Sequence, residues 1–150
     1  MAITRRQCGP VLLFGIGGGL LLALYAYAPS MTMDVVELRP RVLDIAIRYF
    51  SLPSSGNICY YCENALEYLQ RDNGIRYSMI FSDLYSAIMM DPLQGSETFL
   101  WMCRNALSED GWLVLNYLDM PGSDSALYHA LHQVFSDVFF CSVPSGNVVI

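Results

Sequence analysis

A glycine cluster set between two apolar runs governs what this chain can fold into. Val11–Phe14 is apolar and stops at Gly15-Ile16-Gly17-Gly18-Gly19. A helix-like segment follows over 19–27, and a second apolar run over 33–38 carries an acid near its end, Glu37. Glycines let the backbone turn sharply and come close to a ligand. A carboxylate about 20 residues further on can accept hydrogen bonds from two ribose hydroxyls. Together these features read as the opening of a nucleotide-binding β-α-β unit.

The alternation continues. The pattern predicts strands over 11–14, 33–38, 57–62, 77–83 and 112–117. Helices are predicted over 19–27, 40–50, 64–71, 95–107 and 124–135, and Pro40 suits a first helical turn. Ser108-Glu109-Asp110-Gly111 reads as a plain turn before the fifth strand. Two last strands, near 138–143 and 147–150, meet around Pro144-Ser145-Gly146, a good hairpin turn. Repeated β-α units imply a parallel sheet with right-handed crossovers, and the closing hairpin implies one antiparallel strand at an edge.

Composition fits that class. Hydrophobic residues make up 54% of the 150 and charged residues 15%, as strands buried on both faces require. The net charge of −6 argues against a nucleic-acid partner, which calls for a basic face. Arg5 and Arg6 before an apolar stretch over 11–28 give a targeting or membrane-spanning alternative. Four glycines interrupt that stretch, so we expect no membrane and a cytoplasmic location.

Five cysteines show no disulfide framework. Cys59 and Cys62 form C-x-x-C within a predicted strand, where residues three apart point to opposite faces. Reduced core thiols are expected there, with no metal site. His129 and His132 read as surface or partly buried helix residues, and Trp101 and Met102 as core or interface residues.

Several ordered segments together resemble one family. VLLFGIGGG, DVVELRPRVLDIAIRYFSLP, ENALEYL, YSMIFSDLYSA and SEDGWLVLN are similar to the spermidine synthase-like polyamine aminopropyltransferases. That family belongs to the class I S-adenosylmethionine-dependent methyltransferase fold. The resemblance implies an α/β, Rossmann-like three-layer sandwich. Its sheet would be seven-stranded and mostly parallel, with a C-terminal antiparallel hairpin strand. Residues 1–150 would form a single domain lacking the family's amino-terminal β-hairpin domain. It implies binding of S-adenosylmethionine or its decarboxylated form as co-substrate, without a metal. The reaction would be aminopropyl transfer to a polyamine such as putrescine, in a homodimer.

The resemblance also assigns roles. The loop with Gly15, Gly17, Gly18 and Gly19 would pass under the sulfonium-bearing part of the ligand, and Glu37 would hold the ribose. Asn64 and Ala65 fall where the family has an Asp-Ala pair beside adenine. Asp83 stands where an acid takes the proton from the attacking amine. Tyr85, Ser86 and Asp91 would line the acceptor side. Two family acids are replaced, by Gly18 in the glycine loop and by Ser86 three residues after Asp83. Plainer readings stand beside these: Asp83 capping a turn, Asn64 capping a helix, and 85–90 serving as a lid or packing. Two alternative functions follow. One is a methyltransferase acting on a small molecule. The other is a non-catalytic relative that binds a nucleoside or self-associates.

Overall fold

The computed structural model describes residues 9–16, 19–53, 55–71, 73–85, 89–144 and 146–150. Seven strands appear: β1 (Val11–Phe14), β2 (Met33–Glu37), β3 (Ile58–Cys62), β4 (Tyr77–Ser82), β5 (Leu107–Tyr117), β6 (Cys141–Ser142) and β7 (Val148–Val149). The helices are α1 (Leu20–Tyr27), α2 (Pro40–Tyr49), α3 (Ala65–Gln70), α4 (Glu97–Ala106) and α5 (Ala126–Val134), with a 3-10 turn at Pro92–Gly95. The strands form one sheet in the order β3-β2-β1-β4-β5-β7-β6, with β1 to β5 mutually parallel.

Strand β1 shows why this is a layered structure. All four of its side chains are buried, and successive residues enter opposite cores. Val11 and Leu13 join Met33, Val35 and Leu21 on the α1–α2 side. Leu12 and Phe14 join Val36, Ile80, Phe99 and Leu131 on the side of α3, α4 and α5. Only a sheet covered on both faces accommodates such a strand, and helices on both faces make the third layer. The apolar stretch over 11–28 is therefore a central strand and a short helix. Among the described residues no helix is long and apolar enough to cross a membrane.

Local signals start the helices where the chain needs them. Asn64, Ser96 and Ser125 each accept a backbone N–H in the first turn of α3, α4 and α5. Pro40 opens α2 with its fixed backbone angle.

Four expectations require correction. First, 108–111 lies within β5. Tyr77 pairs with Leu107 and Met79 with Trp112, so the four residues bulge opposite Ser78 and the strand then resumes. Gly111 permits the close return, because a Cβ there would lie 2.8 Å from the Tyr77 carbonyl oxygen. Second, the antiparallel strand next to β5 is β7, one position in from the edge. The edge strand is β6, reduced to Cys141–Ser142. Third, Cys59 and Cys62 are exposed, because β3 is an edge strand with one open flank. Fourth, of the core-or-interface reading of Trp101 the core half fails, because Trp101 is 41% exposed on α4, whose buried residues are Phe99, Leu100 and Cys103.

Candidate functional site

The sheet reverses its build direction between β1 and β4, the place where adjacent strand ends part and a ligand cleft opens. Gly15 stands at that point. Its φ is +81°, and a Cβ would sit 2.4 Å from the Asp83 carbonyl oxygen. Its N–H donates to Val36 across β2 at 2.9 Å. Glycine at 15 thus brings three strand ends together: β1, β2 and β4.

Glu37 ends β2 and is 4% exposed. Its Oε2 accepts the backbone N–H of Ile16, inside the glycine cluster, at 3.2 Å. Its Oε1 accepts the backbone N–H of Arg39 at 2.9 Å and Nε of the same residue at 3.3 Å. The Arg39 guanidinium reaches on from there, and its Nη2 donates to the Tyr85 carbonyl at 3.1 Å. Arg39 therefore spans from the end of β2 to the loop after β4.

A cavity of about 390 Å³ lies along these strand ends, and Gly15, Glu37, Arg39, Asp83, Tyr85 and Asp91 are among its lining residues. That volume falls within the range of small-molecule sites. Asp83 follows β4 directly, and its Oδ1 accepts Asn116 Nδ2 at 2.8 Å. Tyr85 donates its hydroxyl to the Asn116 carbonyl at 3.2 Å. Burial first, and then the nearby Asp83 carboxylate, push that hydroxyl above its usual range, so it remains a donor at neutral pH. Asp91 caps the 3-10 turn, accepting the Leu93 N–H at 2.9 Å through Oδ1.

Other expected residues fall elsewhere. Asn64 caps α3 through the Leu66 N–H at 2.8 Å, which is the plainer of its two readings. Ala65 is buried in the core, and neither residue lines the cavity. Their neighbour Glu63 donates its N–H to the Glu37 carbonyl, so α3 starts one strand away from the cleft. Gly19 precedes α1 without a side-chain cap. Gly17, Gly18 and Ser86 lie outside the described residues. Among the described residues no group of three or more His, Cys, Asp or Glu is arranged to hold a metal. His129 and His132 flank the Tyr128 ring on α5 and do not line the cleft.

Four contributors were missed from sequence. Arg39 and Asn147 line the cavity, Asn116 grips Asp83, and fully buried Gln94 donates to the Asn116 carbonyl at 2.8 Å. A polar residue closing the apolar strand WLVLN was a usable signal for Asn116. Gln94 sits in a loop segment with no pattern to mark it.

The sheet order and the cleft at its switch point define a class I S-adenosylmethionine-dependent methyltransferase fold, which structural comparison bears out. Human methyltransferase-like protein 13 in complex with SAH superposes with a TM-score of 0.82 at 21% identity, over 95% of this chain and 70% of that one. A spermidine synthase in complex with the transition-state analogue AdoDATO superposes at 0.73 and 21% identity, over 95% and 53%. Within that class, the chain groups with the polyamine aminopropyltransferases, the spermidine synthase-like family. The polyamine aminopropyltransferase of Vibrio vulnificus is 32% identical over 148 residues, 93% of this chain and 48% of that protein. The eEF1A lysine and N-terminal methyltransferase of Xenopus laevis is 31% identical over 144 residues, 86% of this chain and 20% of its length. No protein-family model matches. The chain spans about half the length of the curated aminopropyltransferase that it matches over most of its own residues.

Proposed function

We propose that the cleft binds decarboxylated S-adenosylmethionine and transfers its aminopropyl group to a small amine such as putrescine. One observation carries this reading: a buried Glu37 carboxylate tied to the Ile16 N–H, in the same cavity as Asp83. In this reading Glu37 accepts the ribose hydroxyls and Asp83 meets the amine. The glycine loop, including Gly17 and Gly18, underlies the sulfonium. Asn64 still has a lone pair on its capping oxygen for adenine. Tyr85, Ser86 and Asp91 form the acceptor wall.

The co-substrate supplies an electrophilic carbon on a sulfonium, already a good leaving group. The chain's part is alignment and proton uptake. An ammonium has no lone pair, so Asp83 first holds the cation and then takes its proton as the C–N bond forms and the C–S bond breaks. Methylthioadenosine leaves. No metal enters the step. The working form in this reading is a cytoplasmic homodimer.

Calorimetry with methylthioadenosine tests the ligand half. We expect wild-type binding and a loss of about 10-fold or more in Glu37→Gln, the scale of a charged hydrogen bond. Equal affinity in the two proteins refutes the role of Glu37. Product formation from putrescine and decarboxylated S-adenosylmethionine tests the transfer.

A second reading, methyl transfer from S-adenosylmethionine, has one observation in its favour. The Arg39 guanidinium lines the cavity, where it suits a ligand carboxylate that the decarboxylated compound lacks. Tighter binding of S-adenosylmethionine than of its decarboxylated form selects this reading.

A further inference from the structure

A carboxylate that must meet an incoming amine works only if one oxygen is held in the right direction, and aspartate turns freely about two bonds unless something fixes it. Asp83 is fixed on one side. Its Oδ1 accepts Asn116 Nδ2 at 2.8 Å, and among the described residues its Oδ2 has no hydrogen-bond partner. We propose that Asn116 is the positioning residue for Asp83, and that Asn147 braces Asn116 from its acceptor end. The proposal deepens the reading of Asp83 given above and rests on it.

An asparagine amide has a donor end and an acceptor end of nearly equal shape, so its neighbours decide which way it faces. The Asp83 carboxylate, which only accepts, turns the Asn116 NH₂ toward itself, and Asn147 holds the other end. The Asn147 Nδ2 donates to Asn116 Oδ1 at 2.8 Å. A flipped Asn116 would set oxygen against carboxylate and NH₂ against NH₂. Both contacts would then repel.

The Asn116 backbone is held as well. Its carbonyl accepts Gln94 Nε2 at 2.8 Å and the Tyr85 hydroxyl at 3.2 Å. Gln94 is fully buried, and its Oε1 accepts the Ser82 hydroxyl at 2.8 Å. Ser82 immediately precedes Asp83, so the same glutamine ties the end of β4 to the end of β5 beside the acid. Asp83 therefore offers Oδ2 to the cleft, and the proton leaving the amine nitrogen passes to that oxygen as carbon moves from sulfur to nitrogen.

Two measurements on the full chain test this. In ¹⁵N-labelled protein, the Asn116 side-chain NH₂ signals, assigned by their loss in Asn116→Asp, should move in Asp83→Asn, which removes the accepting carboxylate. Signals indifferent to Asp83→Asn overturn the proposal whether or not any amine is a substrate. In turnover of putrescine with decarboxylated S-adenosylmethionine, Asn116→Leu should lower kcat by about 10- to 100-fold, the scale of a misplaced reacting group. Methylthioadenosine affinity should stay within about twofold, because a positioning effect is confined to the transfer step. Unchanged kcat, or nucleoside affinity falling in step with it, overturns a positioning role. Asn147→Ala leaves Asn116 in place and should give a smaller fall of the same kind, so the test stands even if Asn116→Leu fails to fold. Wild-type protein that neither binds methylthioadenosine nor turns over putrescine refutes the proposed function, while the NMR coupling still decides the Asn116–Asp83 bond.

Discussion

An added methyl group at Gly15 would meet the Asp83 carbonyl oxygen at 2.4 Å, from a backbone with φ of +81°. Both facts oppose any side chain, and they are independent. The conformation alone costs a non-glycine residue about 1–3 kcal/mol, and the clash adds to it by forcing β1 and β4 apart. Gly15→Ala should therefore lower the urea midpoint by an amount equivalent to about 2–4 kcal/mol. It should also weaken methylthioadenosine binding, since the displaced backbone carries the Ile16 N–H that holds Glu37. A midpoint within error of wild type would show that the loop yields at no cost. Gly15 and Glu37 were legible through the spacing of a glycine cluster and a strand-end acid, and Asp83 through the family resemblance alone. Arg39 and Asn116 were not legible in the same way. Their roles come from bonds to Tyr85 and Asp83, 46 and 33 residues away, and nothing local encodes those partners.

At the scale of elements, β2, β4 and α3 are joined by a buried polar cluster away from the cleft. Asp34 on β2 accepts the Tyr77 hydroxyl at 2.6 Å and the Tyr68 hydroxyl at 2.9 Å through one oxygen. Burial, reinforced by bonding to the Asp34 carboxylate, raises both phenols well above their usual range. The sign follows directly. A raised phenol pKa favours the protonated, folded form, so this contribution is intact below about pH 10, the unfolded value, and is lost as pH rises above it. Of the chain's ten tyrosines, Tyr68 and Tyr77 should ionise only as the fold is lost. Absorbance at 295 nm followed alongside circular dichroism checks this, with the late phase shrinking in Tyr77→Phe. Full ionisation before any change in dichroism would contradict it. The elements themselves were readable to different degrees for physical reasons. Strands β1 to β4 follow their apolar runs because both flanks and both faces are paired or covered, except at the β3 edge. From sequence the bulge in β5 reads as a turn, because Ser-Glu-Asp-Gly is a turn sequence in isolation. Only pairing with β4 on both sides of it makes it part of a strand. The last hairpin shrank to two-residue strands, each too short for any period to show.

For the whole molecule, two faces of the sheet are covered unequally. The side holding α3, α4 and α5 packs one continuous core that includes Phe14, Phe99, Leu127 and Leu131. On the other side α2 contributes Ala46 to the core, yet it leaves Ile45 at 49%, Ile47 at 52% and Tyr49 at 76% exposure, followed by Phe50 at 51%. Ile45 and Tyr49 lie four residues apart and share one face of the helix, while Ile47 faces another way. An exposed apolar pair of this kind offers a surface to a partner, and closed symmetric dimers are the commonest solution for a single chain. The proposed homodimer therefore has a concrete expectation attached. Sedimentation velocity over a range of concentrations should show reversible self-association of the wild-type chain, and Ile45→Glu with Tyr49→Glu should shift it to monomer. Both side chains are exposed, so the melting temperature of the double variant should hold close to wild type while association is lost. A wild-type chain that remains monomeric at every concentration, or a double variant that associates as strongly, would separate this apolar face from assembly and leave the homodimer without support.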